Sequence, residues 1–328
     1  MENVILLSDR NSHSWRFAQK IQEHIFKIRG VNIDLREIEI TKFNNGEIRV
    51  HVPSNVRKKD VFYIHDSSKN PSDWWVELLL IKDLLLRGSV NSLSLVLPNM
   101  LYSRQDRKDQ PRVPISARAL ADSLSKGIKR IITMDLHANQ IQGFYPASTP
   151  VDNLYSFPAV VRYLRKHYLQ DLDNLVVVAP DAGAARRTKA FLSKLEKAQE
   201  DSLVKQKYSF ALLSKIRDAP GEVGEMKLVG DVEGKNALLV DDLIDTGGTL
   251  RKAAEILRQH GARKLFCYGT HGIFTKGTEI LTEVFDKVLT SNTQYNENSI
   301  EIIDVTPLFA EAIYRAQVGL SVSTLFEL

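Results

Sequence analysis

Leu238-Leu239-Val240-Asp241-Asp242-Leu243-Ile244-Asp245-Thr246-Gly247-Gly248-Thr249-Leu250 is the stretch on which the reading of this chain turns. Its apolar start reads as a buried parallel strand. Two adjacent carboxylates end that run, and a Gly-rich, hydroxyl-bearing turn follows before a helical pattern resumes. Ligands of open α/β sheets bind beyond the carboxyl ends of the strands. The turn Thr246-Gly247-Gly248-Thr249 brings bare backbone N–H groups and two hydroxyls to a helix N-terminus, where donors and dipole both favour an anion. Asp241 and Asp242 suit ribose hydroxyls or a hydrated Mg2+. Phosphate at one end and sugar hydroxyls at the other describe a pocket for a ribose 5-phosphate group. Thr-Gly-Gly is also ordinary turn chemistry; the third carboxylate, Asp245, and the closing Thr249 favour the ligand.

Outward from this stretch, short apolar runs alternate with longer helical patterns. Strands are expected at 4–7, 61–64, 93–97, 131–134, 175–179, 237–240, 264–268 and 287–289, and helices at 73–86, 115–124, 157–167 and 248–260. That alternation predicts βαβ units, hence an α/β fold with mainly parallel sheets. Residues 31–53 differ: charged and Thr residues alternate with Ile and Val around Asn44-Asn45-Gly46, the pattern of an antiparallel hairpin. No Ser/Gly-rich linker marks a boundary. The Pro146–Pro150 stretch is the best break, giving expected domains of 1–148 and 149–328.

The 328 residues allow two domains with cores of their own. A hydrophobic share of 43% and a charged share of 26% are those of a globular protein. The net charge of +4 is mild and its basic residues are scattered, so no nucleic-acid partner is expected. Cys267 is the sole cysteine, which excludes an internal disulfide, and its apolar setting predicts a buried strand position. The chain opens on strand-like Val4–Leu7 without a leader, and no apolar run nears membrane-spanning length. A cytoplasmic protein with no membrane partner is expected.

Four further segments can carry chemistry. Tyr102-Ser103-Arg104-Gln105-Asp106-Arg107-Lys108-Asp109 follows an apolar run; its Arg forks match phosphate oxygens, and Gln and Asp can read a purine edge, although a solvated charged loop fits too. His137, after Asp135, can ligate Mg2+, bond a phosphate or pair internally. Asp181, in the small-residue loop Pro180-Asp181-Ala182-Gly183, can hold a cation beside an anion or cap the next helix. Lys215 and Arg217, separated by Ile216, are expected to project from a flexible loop that delivers charge to a phosphoryl group, or else to lie on an exposed charged hairpin.

Taken together these segments resemble the ribose-phosphate pyrophosphokinases (5-phosphoribosyl 1-diphosphate synthases). The likeness runs nearly end to end: Phe43-Asn44-Asn45-Gly46-Glu47, Arg104 through Asp109, Asp135-Leu136-His137-Ala138, Pro180-Asp181, the Lys215/Arg217 pair, Asp241 through Thr249, and the tail Asp304-Val305-Thr306-Pro307-Leu308. The resemblance implies two phosphoribosyltransferase-like domains, each a mainly parallel sheet flanked by helices. It also implies a ribose-phosphate diphosphokinase, transferring the diphosphoryl group of ATP to the C1 hydroxyl of ribose 5-phosphate and releasing AMP. Phe43, Asn45, Gly46 and Glu47 match an adenine-contacting loop that reaches a neighbouring subunit's site. Arg104, Gln105 and Asp106 match the rest of the ATP site, His137 and Asp181 the Mg2+ positions. Asp241, Asp242 and Asp245 with Thr246, Gly247, Gly248 and Thr249 match the ribose 5-phosphate site, to which Arg217 also contributes. Lys215 matches the catalytic lysine and Arg217 its partner. A homo-oligomer built from dimers, with a hexamer as one arrangement, is implied. Five positions depart from the family: Ile216 replaces a third cation, Ala182 a frequent His, Pro111 the usual Ser, and Ser103 and Gly247 each a frequent Ala.

Overall fold

The computed structural model of the chain describes residues 3–199, 206–216, 225–294 and 300–326. Two compact units divide it: the first runs to Tyr155 and takes back the segment from Val305, and the second begins at Ser156.

The first unit contains β1 (Val4–Asp9), α1 (His13–Arg29), β2 (Asp34–Lys42), β3 (Ile48–His51), β4 (Asp60–Ile64), α2 (Pro71–Arg87), β5 (Ser92–Leu97), α3 (Ser116–Leu124), β6 (Arg130–Met134) and β7 (Val151–Leu154). Their order across the sheet is β3-β2-β1-β4-β5-β6-β7. All pairs are parallel except β2 with β3, the hairpin expected at 31–53. Every residue of β1 is buried, as a strand covered on both faces requires. Trp74, Leu78, Ile81 and Leu85 of α2 recur at helical spacing and join Leu120, Ala121 and Leu124 of α3 in one core.

The second unit contains α4 (Phe157–His167), β8 (Leu175–Ala179), α5 (Ala185–Lys197), β9 (Tyr208–Ile216), β10 (Glu225–Val229), β11 (Asn236–Ile244), α6 (Gly248–Gln259), β12 (Leu265–Gly272), α7 (Glu279–Thr282), β13 (Lys287–Ser291) and β14 (Glu301–Ile303). Its order, β10-β9-β8-β11-β12-β13-β14, again places one antiparallel hairpin at an edge. Alternation along β11 decides what each residue meets. Leu238 and Val240 pack with Phe157 of α4 and Phe191 of α5, whereas Leu239 packs with Leu250, Ala253 and Leu257 of α6. Cys267 is fully buried on β12, and burial pushes its thiol pKa up. The last helix, α8 (Thr306–Val318), returns to the first unit and packs on α1, with Phe309 edge-on to Phe17 at 5.3 Å between ring centroids.

Two expectations need correction. β11 does not stop at Val240; it continues through both carboxylates to Ile244, because Asp241 pairs with Gly269 and Leu243 with His271 of β12. A side chain on Gly269 would clash with Ile244, whose Cγ1 would lie 2.4 Å from an added Cβ. Lys215 does not stand in a loop: its backbone lies in β9, paired with Met226 of β10. The side chain of Lys215, and Arg217 entirely, lie outside the described residues.

Candidate active site

In the second unit the strand ends assemble a polar edge. β9, β8 and β11 are neighbours, so the backbone at Lys215, the loop at Asp181 and the segment Asp241–Thr249 share the carboxyl end of one sheet. By the pleat, Asp242 follows Leu238 and Val240 towards α5, and there Arg187 donates from Nη1 to Asp242 Oδ1. The same nitrogen lies 3.7 Å from Asp241 Oδ1. Asp241 Oδ1 also accepts the Asp242 backbone N–H at 2.9 Å. Although the Asp241 side chain keeps 25% of its surface open, burial and the adjacent Asp242 carboxylate hold its pKa well above the usual range, with Arg187 pulling it back.

The turn after β11 is tied down from the far side. Thr275 donates its hydroxyl to Asp245 Oδ1 at 2.8 Å and its backbone N–H to Asp245 O at 3.1 Å. Gly247 sits at φ +75°, and an added Cβ would lie 3.1 Å from Ile280 Cγ2 and Leu281 Cγ. Glycine here meets both a backbone and a space requirement. α6 begins at the next residue, with Arg251 N–H donating to Gly247 O. The N–H groups of the first turn are therefore left for an outside acceptor, flanked by the exposed Thr246 and Thr249. Asp181 Oδ1 accepts the Ala184 N–H at 3.0 Å, so it caps the loop before α5, while Oδ2 has no partner among the described residues.

The first unit positions four more of the expected residues beyond strand ends. After β5, Gln105 Oε1 accepts the Ser116 hydroxyl at 2.6 Å and its carbonyl the Ala117 N–H, both at the start of α3. Asp106 Oδ2 accepts Gln140 Nε2 at 2.6 Å, from the 3₁₀ turn Asn139–Phe144. After β6, Asp135 is buried at φ +41°, the Leu136 N–H donates to Asn153 Oδ1 at 3.0 Å, and His137 emerges exposed. Arg104–Asp106 and His137 thus follow neighbouring strands. The Phe43–Glu47 loop does not join them: it caps the β2–β3 hairpin, with β1 and β4 between it and β5. It is closed by Phe43 N–H to Glu47 O at 2.8 Å and Glu47 N–H to Asn45 Oδ1 at 3.2 Å, leaving the Phe43 ring 54% exposed.

Sequence reasoning missed Arg187 and Thr275. Arg187 follows the small-residue loop at 180–183 closely, but its partner is 55 positions away. Thr275 carries no local signal. No cluster of three or more metal-ligating side chains occurs among the described residues, and no helix among them is long and apolar enough to cross a membrane.

Twin parallel sheets with an Asp-Asp pair leading into a Thr-Gly-Gly-Thr helix start define a phosphoribosyltransferase-like protein. The model of the N-terminal domain of ribose phosphate pyrophosphokinase matches residues 5–127, and that of the phosphoribosyl synthetase-associated domain matches residues 211–327. Ribose-phosphate pyrophosphokinase of Cereibacter sphaeroides is 37% identical over 94% of this chain and 91% of its own. Ribose-phosphate pyrophosphokinase 4 of Saccharomyces cerevisiae is 39% identical over 99% and 95%. The crystal structure of phosphoribosylpyrophosphate synthetase from Mycobacterium smegmatis superposes with a TM-score of 0.84 at 30% identity, covering 97% of this chain and 99% of that one. The chain belongs to the ribose-phosphate pyrophosphokinase family.

Proposed function

We propose that the chain is a ribose-phosphate diphosphokinase, which transfers the diphosphoryl group of ATP to the C1 hydroxyl of ribose 5-phosphate, giving 5-phosphoribosyl 1-diphosphate and AMP for nucleotide biosynthesis. The observation that carries this reading is the continuation of β11 through Asp241 and Asp242 into the bare N-terminus of α6. Carboxylates on the strand and amide donors at the helix start then flank one turn, the two kinds of group that a sugar's hydroxyls and its 5-phosphate call for.

In this reading the N–H groups at Gly248 and Thr249, with the hydroxyls of Thr246 and Thr249, take the 5-phosphate. Asp241 accepts ribose hydroxyls, and Asp242 and Asp245 hold the strand end and the turn in place through Arg187 and Thr275. Phe43, Asn45, Gly46 and Glu47 contact adenine, and Arg104, Gln105 and Asp106 complete the ATP site. Lys215 and Arg217 bring positive charge to the transferred group, whose loose transition state spreads charge over its non-bridging oxygens. The oxygen donors at this edge fit Mg2+, since Asp181 Oδ2 is unengaged among the described residues and the Asp241 side chain keeps 25% of its surface open. His137 is the other candidate ligand. When bound, Mg2+ supplies charge neutralisation on the diphosphate. The distance across the sheet from the Phe43 loop to Arg104 supports a homo-oligomer in which that loop serves a neighbour, and hence a dimer as the minimal active form. No aqueous or membrane address beyond the cytoplasm is needed for these substrates.

A phosphorus NMR time course with ATP, ribose 5-phosphate and Mg2+ tests the reading. Sugar-linked diphosphate resonances appearing together with AMP are expected. ATP left unchanged over a range of enzyme and phosphate concentrations would overturn it.

A further inference from the structure

Trp75 stands beside the Arg104–Asp106 loop on a rigid base. Asn70 Oδ1 caps α2 by accepting the Ser72 N–H at 3.0 Å, and Trp74, Leu78, Ile81 and Leu85 lock the inner face of the helix in the core. Trp75, one residue round from Trp74, is only partly buried and packs on the rim of that core. Its indole N–H donates to Ser123 Oγ of α3 at 3.0 Å. That hydroxyl donates onward to the Leu120 carbonyl at 2.8 Å. The backbone of α2 and a bond to α3 therefore fix the ring from both ends.

Tyr102, in the loop after β5, meets this ring. The two rings lie edge to face, with 4.7 Å between centroids and 64° between planes, the arrangement that aromatic pairs favour. Tyr102 has φ +59°. A bulky side chain rarely adopts that left-handed conformation, which persists only where the surroundings enforce it. Trp75 supplies such a contact. Two residues further on, Arg104 is exposed. At Gln105 the loop is held again, by Ser116 and the Ala117 N–H at the start of α3. Arg104 thus sits on a short span between two anchors, and α3 supports both of them.

We propose that Trp75 is a positioning residue for this loop. Its ring holds Tyr102 in the left-handed turn, and that turn sets the direction in which Arg104 leaves the strand end to meet ATP. Trp75 acts through Tyr102 rather than by touching substrate. Its part in ATP binding rests on the proposed role of the Arg104–Asp106 loop, whereas the contact between the rings does not. An aromatic brace suits such a place, because a large ring with few torsions orders its partner at little cost in side-chain freedom.

Calorimetric titration of the full chain with ATP and, separately, with ribose 5-phosphate tests the role. Trp75→Ala should weaken ATP by about tenfold, the upper reach of an aromatic pair, and leave ribose 5-phosphate within about twofold, as for a distant site. The KM for ATP should rise with it, with kcat moving less. Trp75→Phe, which keeps a ring in place, should restore most of the ATP affinity. The double variant W75A/Y102A should lose no more than the worse single variant, because both changes remove one contact. Unchanged ATP affinity in Trp75→Ala, an equal loss for ribose 5-phosphate, or additive losses in the double variant would each overturn the role. The contact is tested without ligand by Trp75 emission, obtained by subtracting the spectrum of the matching W75F chain. Tyr102→Ala should shift that emission to the red; an unchanged spectrum would overturn the brace itself. If Arg104→Ala keeps wild-type ATP affinity, the ATP reading of the loop falls, and the emission alone decides whether Trp75 holds Tyr102.

Discussion

Asp241 and Asp242 are chemically identical neighbours placed by the pleat of β11 in different surroundings. Asp242 is buried and has the Arg187 guanidinium on it. Asp241 keeps only the distant edge of that cation and faces Asp242. Its raised folded pKa makes ionised Asp241 a source of instability. Below the unfolded pKa both states are protonated and the effect vanishes. As pH rises past that value the unfolded chain gives up a proton that the folded chain retains, and stability declines until the folded pKa is passed. Asp241→Asn removes the charge while its amide oxygen can still accept the Asp242 N–H. In metal-free buffer the variant should therefore melt higher than wild type at neutral pH, with the gain disappearing near pH 4, and should bind ribose 5-phosphate more weakly. A melting temperature equal to or below that of wild type at neutral pH would show that this carboxylate is not held against its preference. Stability given up at a candidate binding residue is what a functional site predicts.

At the scale of elements, the runs 175–179 and 157–167 are legible in the sequence to the residue, because buried parallel strands and amphipathic helices differ in period. The end of β11 is not. Asp241 and Asp242 look like the close of a strand by hydropathy; what extends β11 is pairing to Gly269 and His271, residues no local pattern connects to them. The loop-borne candidate residues stand out in the sequence because their types and order carry chemistry, whereas Arg187 and Thr275 gain meaning only through partners far along the chain. Gly247 shows the same limit. As a change from Ala it looks minor in sequence, yet at φ +75° and 3.1 Å from Ile280 an added methyl is strained. Gly247→Ala should cost about 1–2 kcal/mol in urea unfolding and weaken ribose 5-phosphate through the displaced helix start; unchanged stability would mean the turn relaxes freely. A second element-level prediction concerns the end of β4. His65 is buried between the Tyr63 hydroxyl, 2.7 Å from Nδ1, and the Trp74 carbonyl, 3.2 Å from Nε2. Burial, with help from Lys69, lowers its pKa to about 3. Between pH 6.5 and about 3 the unfolded chain binds a proton that the folded chain refuses, so stability falls as pH falls, by at most about 1.4 kcal/mol per pH unit. Glu77 beside it, raised by burial against the pull of Lys69, tilts the profile the other way in any variant that keeps it. His65→Gln should flatten the acid limb of the urea midpoint relative to wild type; parallel limbs would exclude His65 as its source.

For the whole molecule, the informative feature is the route of the chain rather than the content of either sheet. The apolar pattern at 306–318 announces a helix but not the surface it covers, and a continuous second half is the natural expectation. Instead α8 lies on α1, burying Phe309, Ala310, Ala312 and Ile313. On that same surface the Arg29 side chain pairs with Glu311 and lies over the Tyr314 ring at 4.8 Å. Without α8, the Phe17, Ile21 and Ile25 stripe of α1 would lose part of its cover, so the last residues of the chain help to stabilise a sheet built by the first. Phe309→Ala truncates a fully buried ring, a change that costs about 3–5 kcal/mol. Hydrogen exchange should locate the loss. Amides of α1, β1 and β4 should lose protection in the variant, while those of β8 and β11 keep theirs. A loss spread evenly over both sheets would mean that the two units unfold as one cooperative body, and α8 would then support the whole chain rather than the unit it covers.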